Sequence, residues 1–397
     1  MPARSEGARA GADTPRFPRA GAVGEVARLF LTLGAIGFGG PAALIALMRA
    51  EVVTRRHWVD DARFLDLFGL TTVLPGVSAT KLAMYLGYER AGWPGLLVAA
   101  IAFPLPATLI VTALAAAYVA YGRLPVTGAL LYGVKPVIVA VVAHALYGIA
   151  NPALRGPILG AVAFIVGGLY LADVNVIALL AGAALAGLLA RWRAHPSRSP
   201  RVAAVALHGL GALPLAATAA APYRPVVLAL TCAKIGAVLF GGGYVLLAFL
   251  RADFVTHLGW ITTAQLLDAV AIGQVTPGPV FTTATFIGYL VGGVGGALLA
   301  TACLLLPSVV VVALSLPLMA WLRRSPHLTD ALAGVNAAAL GLMGGVTVQL
   351  GQAALIDPLS VALALTALGV LLRTHLHPAW LILGGALVGM VARGVVG

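Results

Sequence analysis

The sequence predicts an all-α polytopic membrane protein made of two homologous halves in inverted orientation, each with a Pro-Gly-broken helix or helical hairpin. Three observations predict this class. First, 61% of the 397 residues are hydrophobic and only 10% are charged, whereas soluble domains carry about 25% charged residues. Second, apolar segments of membrane-spanning length follow one another along the chain. Third, one pattern of distinctive residues occurs twice.

The apolar segments divide the chain into four parts. Residues 1–22 form a tail containing Arg, Pro and Gly, a composition typical of disorder. The first repeat, 23–190, holds apolar segments at 23–48, 64–90, 94–121, 127–149, 155–172 and 174–190. A basic linker, 191–225, includes the stretch 202–222, which is apolar enough to be an extra span. The second repeat, 226–397, holds segments at 226–250, 263–290, 293–321, 328–351, 355–372 and 378–396.

A constant offset relates the two repeats. Shifting the chain by 202 residues places Phe38-Gly39-Gly40 on Phe240-Gly241-Gly242, Trp58 on Trp260, Asp66 on Asp268, and Pro75-Gly76 on Pro277-Gly278. Chance similarity between apolar sequences would match Leu and Val instead of Trp, Asp and Pro-Gly at constant spacing. The offset therefore indicates an internal duplication.

Arginine placement predicts which loops face the cytoplasm, because Lys and Arg are enriched in cytoplasmic loops. The linker arginines and Arg373 should lie inside, and Asp173 and Asp357 outside. Two topologies satisfy this. In one, 64–90 and 263–290 each cross the membrane, 202–222 adds a thirteenth span, and the N-terminus is inside. In the other, both segments are re-entrant hairpins, ten spans remain, and the N-terminus is outside. The first leaves Arg49 to Arg63 outside, and the second leaves the N-terminal arginines outside. Both topologies invert the halves, as in many secondary transporters.

The two Pro-Gly segments are the best candidates for a binding site. Pro followed by Gly should interrupt a helix, and the restarted helix presents free backbone amides and a partial positive charge. Hydroxyl groups lie in that first turn in both halves, and Lys81 adds a full charge in the first. Such a terminus is typical of an anion site. The alternative, two structural Pro-Gly kinks, is less favoured because the breaks are duplicated and polar.

The predicted substrate-binding residues come from these breaks and from the glycine runs preceding them. They are Gly39, Gly40, Pro75, Gly76, Ser78, Thr80, Lys81, Gly241, Gly242, Pro277, Gly278, Thr282 and Thr283. For the glycine runs, a small-residue packing face is an equally good interpretation.

Charged residues within apolar segments are costly and usually face a partner or a cavity. The three lysines, Lys81, Lys135 and Lys234, all fall in such segments. We expect Lys81 to contact substrate, whereas Lys135 should pair locally or extend to the interface. Asp66, Asp268 and Lys234 are candidates for a coupling charge, and for the two aspartates a structural pairing is favoured.

Several function classes are not indicated. The net charge of +12 does not point to nucleic acid, since the arginines lie in short breaks between apolar runs. Cys232 and Cys303 fall inside apolar stretches, as small core residues do. The sequence contains no G-x-x-x-x-G-K-[ST] phosphate loop and no H-E-x-x-H motif. We therefore predict a protein that is not an enzyme and uses no cofactor and no metal.

The distinctive motifs resemble those of the chromate ion transporter family in its long, two-domain form. The resemblance covers the chain from about residue 25 and is carried by Phe38-Gly-Gly-Pro41, Glu51 to Trp58, Leu74-Pro-Gly76, Leu82 to Tyr88, and Thr276 to Tyr289. One departure is that many members have Pro-Gly-Pro-Asn in the first half, where Val77-Ser78 follow Gly76 here. This variant leaves the helix break intact and bears on the local oxyanion contacts.

The resemblance implies a secondary transporter that exports chromate across the inner membrane and confers chromate resistance, with sulfate exchanging or competing. A passive anion channel, or a transporter of another oxyanion such as sulfate, is the alternative. The expected partners are chromate or sulfate and the lipid bilayer, and a homodimer is left open. Because position 283 is a neutral Thr where the first half has Lys81, the anion is expected nearer the first half.

Overall fold

The structure is a computed structural model that describes residues 21–37, 40–122, 124–153, 157–194, 222–240, 243, 245–278, 280–317, 326–374 and 376–394. Every regular element within these ranges is a helix, which confirms the predicted all-α class. The predictions for residues 1–20 and for the stretch 202–221 lie outside the described residues.

The helices of the two halves follow one another in the same order. In the first half they are α1 (Ala22–Ile36), α2 (Gly40–Arg49) with a π-helical turn (Ala50–Arg55), α3 (Asp61–Val73), α4 (Ser78–Ala102), α5 (Leu105–Tyr121), α6 (Pro125–Ala153), α7 (Pro157–Leu171) and α8 (Val176–Ala194). In the second half they are α9 (Pro225–Val238), α10 (Val245–Leu250) with a π-helical turn (Arg251–His257), α11 (Thr263–Val275), α12 (Thr282–Ser315), α13 (Pro326–Ala354), α14 (Pro358–Arg373) and α15 (Pro378–Ala392).

The first apolar segment of each half folds back on itself. Lys234 on α9 pairs with Asp253 in the turn after α10, with Nζ 2.5 Å from Oδ1, although the two residues are 19 apart in sequence. A continuous helix would separate them by about 28 Å. The rings of Tyr223 and Trp260, which flank this segment, lie 5.7 Å apart. The prediction of one membrane helix at 226–250 is therefore wrong.

Three ion pairs show the same reversal in the first half and define one end of the molecule. They are Glu25–Arg90, Arg49–Asp61 and Arg63–Glu89, with nitrogen–oxygen distances of 2.5, 2.6 and 2.5 Å. They bring the start of α1, the end of α2 and the start of α3 to a single level, which we call the arginine end. The predicted single span at 23–48 is thus also a pair of half-length helices. Gly37 caps the end of α1, and Gly40 begins α2.

The predicted Pro-Gly breaks are present, and each produces a second helical hairpin. In the first half, α3 ends at Val73 and α4 restarts at Ser78 after an extended Leu74 and Val77. The Arg63–Glu89 ion pair requires α3 and α4 to run antiparallel. In the second half, α11 and α12 are separated in the same way around Gly278.

Helices α4 and α12 each reverse once more, at glycines with φ of +62°. A Cβ on Gly87 would lie 2.4 Å from the carbonyl oxygen of Gly95, although eight helical residues span about 12 Å. The hydroxyls of Thr285 and Thr301 are 2.7 Å apart across the equivalent reversal at Gly293. The α4 limb after Gly92 continues into α5 and runs to the opposite end of the molecule, which we call the far end.

The two halves are inverted, as predicted. Tyr118, near the end of α5, donates a 2.8 Å hydrogen bond to Oδ2 of Asp268, in the middle of α11. The Tyr118 ring also packs against Phe286 of α12 at 5.2 Å. The second-half hairpin therefore opens at the far end, where α5 arrives, and the first-half hairpin opens at the arginine end.

The remaining helices pack against helices of the opposite half. α6 packs against α14 and α15, and the equivalent helix α13 packs against α7 and α8. Glycines allow close crossings: a Cβ on Gly133 would lie 1.8 Å from the Gly385 oxygen, and one on Gly334 would lie 2.0 Å from the Ala183 oxygen. Small residues of this kind are typical of helix contacts in bilayers.

Four helical stretches are long and apolar enough to cross a membrane, and shorter apolar helices accompany them. The four are Ser78–Tyr121, Pro125–Gly148, Thr282–Ser315 and Ala331–Ala354. The first and third contain the reversals at Gly92 and Gly293, so only their second limbs cross. The chain is a multi-pass membrane protein.

The structure contains the re-entrant Pro-Gly hairpins of the second predicted topology, and it also accounts for the arginines that each topology left outside. Because α1 and α2 fold back, residue 22 and the arginines between positions 49 and 63 lie at the same end. Arg373 lies at this end too, since α14 starts at Asp357 beside Tyr132 near the far end. The start of α1 and the arginines after α2 therefore lie away from the far end, where Asp357 is found.

Candidate functional site

The tips of the two Pro-Gly hairpins are each held by a helix end of the opposite half, through a reciprocal pair of backbone hydrogen bonds. The Gly76 amide donates to the Leu239 carbonyl at 2.7 Å, and the Gly278 amide donates to the Gly37 carbonyl at 2.9 Å. The two donors and the two acceptors are each related by the 202-residue offset. Such an exchange of equivalent contacts is what a two-fold axis produces.

Only glycine fits at the two tips. Gly76 and Gly278 have φ values of +107° and +111°, which side chains other than that of glycine rarely tolerate. A Cβ on Gly76 would lie 2.2 Å from Oγ of Ser308, and one on Gly278 would lie 2.5 Å from Cβ of Ala107. Ser308 also accepts a 3.2 Å hydrogen bond from the Val77 amide. Each tip is thus packed against the crossing helix of the other half.

Three threonine hydroxyls lie buried at the start of the helices that leave the tips. Thr80 in α4 and Thr282 in α12 are equivalent residues, each with 0% exposure, and Thr283 has 1%. Within the described part of the chain, the Oγ1 atoms of all three lack a hydrogen-bond partner. A buried polar group without a partner costs roughly 1–3 kcal/mol, so three at the starts of these two helices call for an explanation such as a ligand.

Lys81 follows Thr80 and is fully buried. Its ammonium donates to the carbonyl of Thr71 at 2.7 Å and to the carbonyl of Leu74. These carbonyls belong to the last turn of α3, where oxygens lack helical partners and carry a partial negative charge. Lys81 therefore closes the first hairpin from within and brings a positive charge to its tip.

The other predicted site residues are placed as follows. Ser78 is the first residue of α4, and its Oγ lies 3.4 Å from the Thr71 carbonyl oxygen. Pro75 and Pro277 immediately precede the tip glycines. Gly40 begins α2, whereas Gly39, Gly241 and Gly242 lie outside the described residues. Asp66 is partly buried on α3.

The candidate coupling charges form two buried ion pairs. Asp268 has its Oδ1 3.1 Å from Nζ of Lys135, without the alignment of a hydrogen bond, and its Oδ2 accepts from Tyr118. This cluster joins α11 of the second half to α5 and α6 of the first. Lys234 pairs with Asp253 within the second half. Asp268 and Lys234 are thus both engaged in the pairings that a structural role requires.

The comparison with known proteins decides the family. The sequence model of the family described as Chromate transporter matches residues 24–188 and again residues 226–390. The chain belongs to the chromate transporter family. Its two matched regions coincide with the two halves that the hairpins define.

Three curated relatives support this assignment. The chromate transport protein of Cupriavidus metallidurans is 34% identical, with 93% of this chain and 92% of the relative covered. The probable chromate transport protein of Synechococcus elongatus is 32% identical, with 87% and 88% covered. The chromate transport protein of Pseudomonas aeruginosa is 31% identical, with 86% and 84% covered. No solved structure matches the chain.

Several residues of the candidate site in this chromate transporter family member were not found from the sequence. Gly37 and Leu239, the carbonyl acceptors of the tip bonds, share the 202-residue offset and directly precede the matched Phe-Gly-Gly motifs, so a signal existed. Ser308 follows Pro307, which aligns with Pro106 because one deletion changes the offset to 201 residues in this part of the second half. Gly273, which faces Thr283, gives no signal, because its counterpart in the first half is Thr71.

Proposed function

We propose that this member of the chromate transporter family is a secondary transporter that exports chromate across the cell inner membrane. Export would confer chromate resistance, and sulfate, a dianion of the same tetrahedral shape, would exchange or compete at the same site. The observation that carries the proposal is the presence of three buried hydroxyls without partners at the starts of the two half-helices that leave the tips.

The chemistry of the tips suits a tetrahedral dianion. An ion in the bilayer core needs hydrogen bonds and compensating charge, because its desolvation is otherwise prohibitive. Threonine hydroxyls and the first amides of α4 and α12 are donors. The Lys81 ammonium, held by the carbonyls of Thr71 and Leu74, adds positive charge at the first tip. The substrate-binding residues predicted from the sequence thus remain our proposed site.

The inverted hairpins support a carrier mechanism. One hairpin opens towards the arginine end and the other towards the far end, so movement of either exposes the tips to one side only. Positively charged loops remain in the cytoplasm, which assigns the arginine end to the inside. The relatives from Cupriavidus metallidurans and Pseudomonas aeruginosa are named chromate transport proteins, in keeping with chromate as the substrate.

Counterflow in proteoliposomes tests the proposal. Vesicles containing the purified protein would be loaded with unlabelled chromate or sulfate, diluted into labelled chromate, and compared with empty vesicles. A carrier exchanges, so internal anion should accelerate labelled uptake several-fold. Uptake that follows only the gradient would indicate a passive anion channel, and acceleration by sulfate but not by chromate would indicate a sulfate transporter.

A further inference from the structure

The second Pro-Gly hairpin packs a bare glycine against two hydroxyls, at a place where the first hairpin carries larger side chains. Gly273 on α11 is buried and faces the start of α12. A Cβ built on Gly273 would lie 3.1 Å from Oγ1 of Thr283 and 3.4 Å from Oγ1 of Thr282. Two buried hydroxyls without partners in the described ranges therefore face one bare glycine.

The equivalent place in the first hairpin has different chemistry. Gly273 corresponds to Thr71, and Thr283 corresponds to Lys81, by the 202-residue offset. The Lys81 ammonium reaches across the first hairpin and donates to the Thr71 carbonyl at 2.7 Å. Lys81 is thus committed to its own hairpin, whereas its counterpart Thr283 is not, so among the described residues the second hairpin has two hydroxyls without partners and the first has one, that of Thr80.

Uncommitted donors are what a ligand needs. Lys81 would have to leave two carbonyls before its ammonium could contact an anion directly, whereas the Thr282 and Thr283 hydroxyls have no such bonds to break. Both lie in the first turn of α12, where the helix start favours negative charge. The nearby carboxylate of Asp268 is matched by Lys135, so it does not leave the second hairpin with a net negative charge.

We propose that the transported oxyanion binds in the second hairpin, between Gly273 and the hydroxyls of Thr282 and Thr283, and that Lys81 acts on it only at longer range. This rests on the proposed function. The limbs of the hairpin touch in this structure, so they separate to admit the ion and close on it. Gly273 determines how much space the ion has. The anion is thus proposed to lie in the second half, the reverse of the sequence-based expectation of an anion nearer Lys81.

Equilibrium binding to the purified full-length protein in detergent tests the proposal, with sulfate and chromate as separate probes. Thr282→Val and Thr283→Val remove a hydroxyl at nearly constant shape and should each raise the dissociation constant at least tenfold. Thr80→Val, the matched change in the first hairpin, should raise it less than either. Thr283→Ser keeps the hydroxyl and should raise the dissociation constant less than Thr283→Val does. This variant remains informative if a valine variant fails to fold.

Gly273→Ala places a methyl group against both hydroxyls and should raise the dissociation constant tenfold or more for each anion. Its matched control is Gly69→Ala on α3, where a Cβ would meet nothing within 4 Å, and this variant should bind normally. Normal binding by Gly273→Ala, or a larger effect of Thr80→Val than of Thr282→Val and Thr283→Val, would overturn the proposal. Anion binding that depends on these residues, in a protein without counterflow, would support the site and refute the carrier function. Counterflow that these variants do not change would support the carrier function and refute the site.

Discussion

The amide of Gly76 donates its hydrogen bond to the carbonyl of Leu239, a residue of the other half of the chain. The donor lies at the tip of the first Pro-Gly hairpin and the acceptor at the end of α9. The equivalent bond from Gly278 to Gly37 completes the exchange. Because each hairpin tip is held by a helix end of the opposite half, a movement of one hairpin changes the support of the other. The reciprocal bonds therefore link the hairpin tips of each half to the other half, as the proposed carrier mechanism would need.

The tip glycines should not tolerate a side chain. Gly76→Ala places a methyl group 2.2 Å from Oγ of Ser308 at a φ of +107°, and the left-handed conformation alone costs about 1–2 kcal/mol. We expect the variant to lose transport and to unfold at lower temperature in detergent. Adding Ser308→Gly removes the collision but not the backbone cost, so it should restore only part of the stability. Gly128→Ala on α6, where a Cβ meets nothing within 4 Å, is the control.

The inverted halves predict opposite labelling of two equivalent threonines. Thr54 and Thr256 are related by the offset, are both exposed, and follow α2 and α10 respectively. In a background with Cys232 and Cys303 replaced by Ala, a membrane-impermeant maleimide should label Thr256→Cys in intact cells. It should label Thr54→Cys only in everted vesicles. Labelling of both cysteines from the same side would contradict the inversion.

Lys81 should stabilise the first Pro-Gly hairpin by joining α4 to the end of α3. Lys81→Met removes the donor to the Thr71 and Leu74 carbonyls, and hydrogen bonds to charged groups contribute roughly 1.5–3 kcal/mol each. We expect a lower unfolding temperature and less protein in the membrane. Lys81→Arg should not restore either, because the guanidinium is larger than the ammonium and planar.

A double variant separates this role from a charge pair on α3. If the carbonyls are the functional partners of Lys81, then Lys81→Gln combined with Asp66→Asn should be no more stable or active than Lys81→Gln alone. Chromate resistance of cells and protein level by immunoblot are the measurements. Restored resistance in the double variant would identify Asp66 as the partner instead.

Replacing one member of the Lys135–Asp268 pair should destabilise the protein more than replacing both members. Asp268 is only 3% exposed and lies 3.1 Å from the Lys135 ammonium. Lys135→Met leaves an unpaired buried carboxylate, which costs about 3–5 kcal/mol. The double variant Lys135→Met with Asp268→Asn should recover most of this in thermal unfolding. If the double variant is as unstable as the sum of its single changes, the two residues do not act as a pair.

The ion pairs at the arginine end should contribute modestly to stability. Arg63 and Glu89 join the two limbs of the first Pro-Gly hairpin at 2.5 Å and are partly exposed, so their interaction should be about 1 kcal/mol or less. Arg63→Glu should lower the unfolding temperature, and the exchange Arg63→Glu with Glu89→Arg should restore it. Arg28→Glu, an exposed change of the same charge on α1, is the control for net charge. An exchange variant that stays as unstable as Arg63→Glu would contradict a specific pair.

The sequence by itself determined the membrane class, the two halves and the position of the hairpin tips. Composition decides the first because so few charges cannot solvate a soluble surface, and the offset decides the second. Pro75-Gly76 and Pro277-Gly278 decide the third, because their backbone preferences are local and act in any surroundings. The buried Thr80, Thr282 and Thr283 hydroxyls were likewise predicted to follow the tips.

Only the tertiary structure decided the direction of the chain after each glycine run and the partners of the buried groups. Hydropathy measures how readily a segment enters lipid. It therefore predicts one span for residues 23–48 whether the chain crosses the membrane or turns back after Gly37. The acceptors of Lys81 are carbonyls, which every residue carries and no side-chain pattern marks. The Gly76–Leu239 bond and the Lys135–Asp268 pair join residues far apart in sequence, and packing of the two halves alone brings them together.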